Sequence, residues 1–207
     1  MRKADWYFDF LSPFAYLQNC RLDEFPSNLY INKKPLLFAG LLNHWGTKGP
    51  AELSAKRLFT YRHVQWLAGQ LELPLCFPEK HPFNPISLLR LCIAADCSKK
   101  AVDEIFNCVW VEGLSGDDPD NWKRFCDAVN IPESKALEII ASSEVKQELK
   151  LNGEKALEQG IFGVPTLVVD GNQFWGLDST DMAIEYLSDP KLFVSSEMKR
   201  LETLPGY

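Results

Sequence analysis

The chain of 207 residues has six cysteines (Cys20, Cys76, Cys92, Cys97, Cys108 and Cys126) but no Cys-x-x-Cys pair. That absence removes the two-thiol redox motif and the paired ligands of a zinc site. Histidine is scarce as well. His44, His63 and His81 stand at no ligand spacing, so no metal site is expected. Long apolar runs are missing: Leu36 to Leu42 is strand-sized, far below the roughly 20 residues of a membrane span, and no membrane partner is expected. Positive charge is in deficit, 22 Lys+Arg against 28 Asp+Glu for a net −6. No basic stripe is left to neutralise phosphates, which argues against a nucleic-acid partner. Met1 to Trp6 passes straight into an aromatic strand pattern without an apolar signal core, so a cytoplasmic protein is expected. In a reducing compartment scattered cysteines serve as small core hydrophobes.

What the chain does have is a core. Hydrophobic residues make up 46% and aromatics 12%, enough to exclude bulk disorder, and the length suits one domain of ordinary size or one domain carrying a large insertion. Ala4 to Leu11 is short and aromatic-rich and reads as a buried strand. Ser12-Pro13 follows as a helix start, Ser as N-cap and Pro at the first helical position. Phe14, Leu17 and Leu22 keep a helical period up to Phe25-Pro26. The polar stretch Asn32 to Pro35 reads as punctuation, and Leu36-Leu37-Phe38 as a second strand.

From Ala51 to Gln159 the periodicity is helical. Leu58, Tyr61, Val64 and Leu67 to Leu71 trace one stripe; Val102, Ile105, Phe106, Val109 and Trp110 trace another. Trp122, Phe125, Cys126 and Val129 repeat it, and Ala136 to Gln159 is helical with a break near Asn152-Gly153. Trp66, Trp110 and Trp122 are expected in the core or on helix-packing surface. Strand character returns at Pro165 to Val169, Asp170-Gly171 signals a two-residue hairpin, and Asn172 to Trp175 pairs back. Asp178 to Asp181 then opens a last helix, Met182 to Leu187. The order βαβ, helices, ββα defines an α/β fold. Its expected division is 1–48 with 160–190 for the sheet domain, 49–159 for the helical insertion, and 191–207 for a weakly patterned tail.

The architecture resembles the thioredoxin superfamily with a helical domain inserted between its halves. The carrying segments are Phe10 to Leu17, Phe162-Gly163-Val164-Pro165-Thr166 and Phe174-Trp175-Gly176-Leu177-Asp178. With Pro50-Ala51-Glu52 and Phe83-Asn84-Pro85, the chain is similar to 2-hydroxychromene-2-carboxylate isomerases and kappa-class glutathione transferases. Where redox members of the superfamily carry Cys-x-x-Cys, this chain has Ser12-Pro13-Phe14-Ala15, with neither sulfur. Thiol chemistry there needs a sulfur brought by a cofactor, and the resemblance implies glutathione.

On that reading Ser12 is the catalytic residue. Its hydroxyl and the start of the first helix favour the cofactor's thiolate. Val164, ahead of an expected cis Pro165, offers its backbone to the cysteinyl unit. Gly176, Asp178 and Ser179 lie at the γ-glutamyl end, Asp178 meeting the ammonium and Ser179 the carboxylate. The stretch after the second strand, where the resembled families present a Lys and an Asn, carries Asn43 and Thr47 here, with His44 and Lys48 as stand-ins for the missing charge. Ser12 and Asp178 are also good helix caps, and a lone His44 is more often a hydrogen-bonded structural residue. The resemblance implies a glutathione-dependent isomerase of an unsaturated 2-oxo acid, a small-molecule substrate, and a homodimer. The alternatives are a kappa-type transferase or peroxidase, and a glutathione- or peptide-binding module without catalysis.

Overall fold

A computed structural model describes residues 1–205. β1 (Arg2–Phe8) crosses through α1 (Pro13–Asn19) to β2 (Leu29–Pro35), which pairs with it in parallel, Arg2 opposite Leu29 and Phe8 opposite Pro35. After α2 (Phe38–Trp45) come α3 (Ser54–Gln70), α4 (Ile86–Ala94), α5 (Lys99–Trp110), α6 (Trp122–Ala128), α7 (Glu133–Ile140) and α8 (Ser143–Glu158). β3 (Thr166–Val169), β4 (Asn172–Trp175), α9 (Thr180–Ser188) and α10 (Ser196–Leu201) complete the chain. The strand order is β2-β1-β3-β4, with β3 antiparallel to both β1 and β4. This is a thioredoxin-like α/β fold, its helical segment inserted between a βαβ half and a ββα half.

The period of two in β1 sends Trp6 and Phe8 to one face, where their rings stack 4.5 Å apart. Phe106 of α5 fits among Trp6, Phe8, Phe10 and Tyr16 at ring distances of 4.7–6.3 Å. Trp110, on the same buried stripe, donates its indole N–H to the Phe10 carbonyl at 2.9 Å. The apolar spacing in α5 therefore docks the insertion directly onto the central strand. On the other face of the sheet, Tyr7 packs with Leu36, Leu41, Ala156 and Ile161.

Several local expectations are overturned. The second strand is the polar stretch, not Leu36-Leu37-Phe38: residues 29–35 form the sheet edge, where Asn32 donates to Asp5 at 2.9 Å and lysines are tolerated. Leu36 is core, and Phe38 already begins α2. α1 stops at Asn19, and Leu22 belongs to a separate 3-10 turn. The long helix expected from Ala136 is broken at Ala141–Ser142, where the Ser142 hydroxyl accepts the Val145 N–H at 3.3 Å. α8 runs unbroken through Asn152, because the buried Asn152 amide donates to the Pro35 carbonyl at 3.1 Å at the end of β2. On α3 only Val64 and Ala68 are fully enclosed, while Leu58 (55% exposed) and Trp66 (59%) face outward, so Trp66 is not core. Of the cysteines, Cys92, Cys108 and Cys126 are buried as expected, and Cys20 and Cys76 are exposed. The tail is more ordered than its pattern suggests: Phe193 stacks on Tyr186 and Phe174. The last two positions of the 191–207 segment lie outside the described residues.

Truncating Phe106 to alanine removes the ring that joins α5 to β1 and to α1. Urea unfolding of this variant is expected to register a loss of about 3–5 kcal/mol.

Candidate active site

The chain leaves β1 at Phe8 and turns on Asp9, a carboxylate with no exposed surface. Asp9 Oδ1 accepts the Leu11 N–H at 3.0 Å and Oδ2 accepts the Phe38 N–H at 2.9 Å. One side chain thus fixes both the turn after β1 and the first residue of α2. Burial pushes its carboxyl up to about 7, against the opposing pull of those two amide donors. The Ser12 N–H donates to the Asp9 carbonyl at 3.0 Å and seats the next residue.

Ser12 is the N-cap of α1, its Oγ accepting the Ala15 N–H at 3.2 Å. It also lines a cavity of about 330 Å³ with Phe14, Phe38, Lys48, Tyr61, His81 and Val164. Its hydroxyl hydrogen meets no acceptor among the described residues. Capping uses the oxygen's lone pair and leaves the proton available to the cavity, so the two readings of Ser12 coexist.

The facing wall comes from the start of β3. The Val164–Pro165 peptide is cis, and the Pro165 carbonyl accepts the Gly176 N–H at 2.8 Å. Thr166 then enters the ladder opposite Tyr7 and Trp175. Val164 lies just outside that ladder, and its N–H and C=O have no partner among the described residues. Trp175 lies against the α-carbon of Gly163, where any side chain would collide with the indole.

A second cleft of about 610 Å³ shares Phe14, Pro50, Thr60, Val164 and Trp175 with the first, and extends to Arg21, Gly176 and Asp178. Asp178 is exposed there, with no hydrogen bond or ion pair among the described residues. Arg21 is committed to Glu24 and Asp181. Gly176 spends its N–H on Pro165, and its carbonyl accepts from Gln18 at 3.0 Å. Ser179 does not line this cleft; its hydroxyl donates to the Gly176 carbonyl at 2.9 Å and its N–H to the same atom at 3.3 Å. Asp178 is thus the one of these three whose polar atoms remain uncommitted.

α2 ends at Gly46, in the left-handed region at φ 63°, and the chain turns Thr47 and Lys48 into the Ser12 cavity. Asn43 lies one turn back, in an adjoining groove that Thr47 and Glu52 share. His44 stands exposed, edge-on to Trp45, without a hydrogen bond among the described residues, so the structural role expected for it is not what the fold gives it. The spacing after β2 faces Lys48, not His44, toward Ser12.

Three residues of the site escape sequence reading. His81 Nε2 lies 2.9 Å from the Leu11 carbonyl, and Nδ1 lies 2.7 Å from the Tyr61 hydroxyl. A carbonyl only accepts, so Nε2 carries the hydrogen; in the neutral ring Nδ1 is then an acceptor for the Tyr61 hydroxyl, which also lies 3.0 Å from the His81 carbonyl. Burial holds His81 below its ordinary pKa, in keeping with a neutral ring. No spacing rule links His81 and Tyr61 to a turn some 50–70 residues earlier. Asp9 had a weak signal, an acid inside an aromatic strand.

The sequence matches the DSBA-like thioredoxin domain family over residues 3–188, and the chain belongs to that family. The chain is 26% identical over 193 residues to a 2-hydroxychromene-2-carboxylate isomerase of Sphingobium xenophagum, covering 91% of this chain and 99% of the relative. It is likewise 26% identical over 207 residues to glutathione S-transferase kappa 1 of Homo sapiens, covering 91% and 92%. Among solved structures, a 2-hydroxychromene-2-carboxylate isomerase superposes with a TM-score of 0.78 at 26% identity, over 94% of this chain and all of that one. The relatives are thus isomerases and kappa-class transferases.

Asp9 predicts a pH effect whose sign follows from its raised pKa. Between about pH 4, where an unfolded Asp titrates, and about 7, the folded state holds a proton that the unfolded state has lost. The contribution of Asp9 is therefore full below pH 4 and lost as pH rises through about 7. Urea unfolding of wild type and Asp9→Asn across this range should give a stability difference moving against wild type by up to about 1.4 kcal/mol per pH unit.

Proposed function

We propose that the chain is a glutathione-dependent isomerase acting on an unsaturated 2-oxo acid of the 2-hydroxychromene-2-carboxylate type. The observation that carries the reading is a pairing across one cavity. Ser12, whose hydroxyl proton is uncommitted, shares this cavity with Val164, whose N–H and C=O have no partner among the described residues, and there is no cysteine at either end of Ser12-Pro13-Phe14-Ala15. An extended backbone laid beside Val164 satisfies both of its groups, as an added strand would. The uncommitted carboxylate of Asp178, in the cleft continuing from Val164, suits an ammonium at the far end of such a peptide. These residues fit a γ-glutamyl tripeptide.

When bound, glutathione supplies a thiolate nucleophile that the chain lacks at this turn. Ser12 donates its hydroxyl proton to the sulfur and favours the charged form. Lys48 and Thr47, at the mouth, are placed to receive a substrate carboxylate, Lys48 as a point charge and Thr47 as a donor. Asn43 lies in the adjoining groove and serves the edge of that site. Gly176 and Ser179 act indirectly, holding the turn that presents Asp178. Leu11, Phe14, Phe38 and Phe162 exclude water from the reacting centre. The kinship to a kappa-class transferase favours a second reading in which the same site consumes glutathione on an electrophile. Homodimer formation is part of the same proposal and rests on the resemblance alone.

The test uses 2-hydroxychromene-2-carboxylate with catalytic glutathione. Interconversion is followed by ultraviolet absorbance, and glutathione is counted before and after. Wild type should isomerise the substrate with glutathione conserved, and Ser12→Ala should be slower by about 10²–10³-fold, the usual cost of one charge-stabilising donor. Full turnover in Ser12→Ala, with the fold intact by circular dichroism, defeats the reading. Stoichiometric loss of glutathione selects the transferase. Asp178→Asn should raise the glutathione concentration for half-maximal rate about 10-fold, with little change in the saturated rate, as expected for loss of a charge-assisted contact.

A further inference from the structure

A pair of cysteines lies at the C-terminal end of α4, outside the Ser12 cavity. α4 stops in a Schellman arrangement: the Asp96 N–H donates to the Ile93 carbonyl at 2.9 Å, and the Cys97 N–H to the Cys92 carbonyl at 3.0 Å. In this motif the side chains of the first and last residues meet, commonly as a hydrophobic contact. Here both are cysteines. The bond lengths around that 3.0 Å hydrogen bond leave the two α-carbons at most about 7 Å apart, at the outer limit for a disulfide. Asp96 and Cys97 both hold the left-handed region, at φ 56° and 47°, which residues other than glycine rarely occupy. That unusual turn folds Cys97 back toward α4 instead of releasing it to solvent.

The two thiols differ in the way an exchange couple requires. Cys92 is fully buried, and burial pushes its pKa up. Cys97 is part-exposed, and the adjacent Cys92 thiol, aided by Lys34, draws its pKa below the ordinary thiol value against opposing burial, Glu148 and Asp96. The outer sulfur is the nucleophile and the inner one the resolving thiol.

We propose that Cys92 and Cys97 form a reversible dithiol–disulfide site that accepts low-molecular-weight disulfides, glutathione disulfide being the representative. The Cys97 thiolate attacks one sulfur of glutathione disulfide, breaking its S–S bond and releasing one glutathione, which takes a proton from solvent. Cys92 then attacks the Cys97 sulfur, the mixed S–S bond breaks, and the second glutathione leaves with the Cys92 proton. Two protein thiols are oxidised, and one disulfide is reduced to two thiols. This site does not depend on the activity at Ser12.

The test equilibrates the intact protein with glutathione buffers of graded disulfide content, blocks free thiols with iodoacetamide, and maps peptides by mass spectrometry. Wild type should lose both alkylation sites of the 92–97 peptide together, two hydrogens lighter, and regain them when reduced glutathione is restored. Cys92→Ser should instead accumulate one glutathionyl group on Cys97, and Cys97→Ser should leave Cys92 a free thiol. The exposed Cys20 and Cys76 report in the same digest that the oxidant reached the protein. Wild-type peptide that stays doubly alkylated while Cys76 is modified overturns the proposal. So does a mixed disulfide that persists on wild-type Cys97 without closing. Both readouts come from wild type, so they stand even where a variant misfolds.

Discussion

The carboxylate of Asp9 binds two backbone amides that belong to different parts of the chain, Leu11 in the turn after β1 and Phe38 at the head of α2. A buried acid with two donors is a rigid joint, since moving either segment strands a polar atom without water. Everything at the site is referred to that joint. Ser12 takes its position from the Asp9 carbonyl, and α2 carries Thr47 and Lys48 to the opposite rim. The Leu11 carbonyl, held by the same joint, receives His81 from the insertion. The first half of the sheet domain and the helical segment therefore meet around one turn.

A simple division separates groups that hold the site from groups that are free to work in it. Gly176, Ser179 and Arg21 have their polar atoms spent on neighbours; among the described residues Ser12 keeps its hydroxyl proton, Val164 its N–H and C=O, and Asp178 its carboxylate. Chemistry-bearing residue types at matching positions do not distinguish these sets. Only the accounting of donors and acceptors does. The sulfurs divide in the same way. Cys108 and Cys126 fill core, whereas Cys92 and Cys97 are brought close by the terminus of α4.

Much of the architecture was legible because it rests on local rules. Alternation in β1, the Ser-Pro helix start, the Asp-Gly hairpin and the unbroken stripe of α5 each report burial or backbone shape within a few residues. The misreadings share a cause. β2 is polar because it lies at the sheet edge, and Asn152 is tolerated inside α8 because the Pro35 carbonyl needs a donor. Leu58 and Trp66 keep a helical period on α3 without being covered. Each outcome depends on what arrives from elsewhere in the chain, which no short window contains.

The sequence by itself determined the fold class, the absence of sulfur at the first strand-to-helix turn, and the Val-Pro entry to β3, all of them properties of neighbouring residues. Tertiary structure alone decided that Asp9 joins two segments, that His81 and Tyr61 reach the same cavity, and that Asp178 stays free while Ser179 does not. The physical reason is that burial and hydrogen-bond satisfaction are settled between distant segments, whereas backbone shape and periodicity are settled within one.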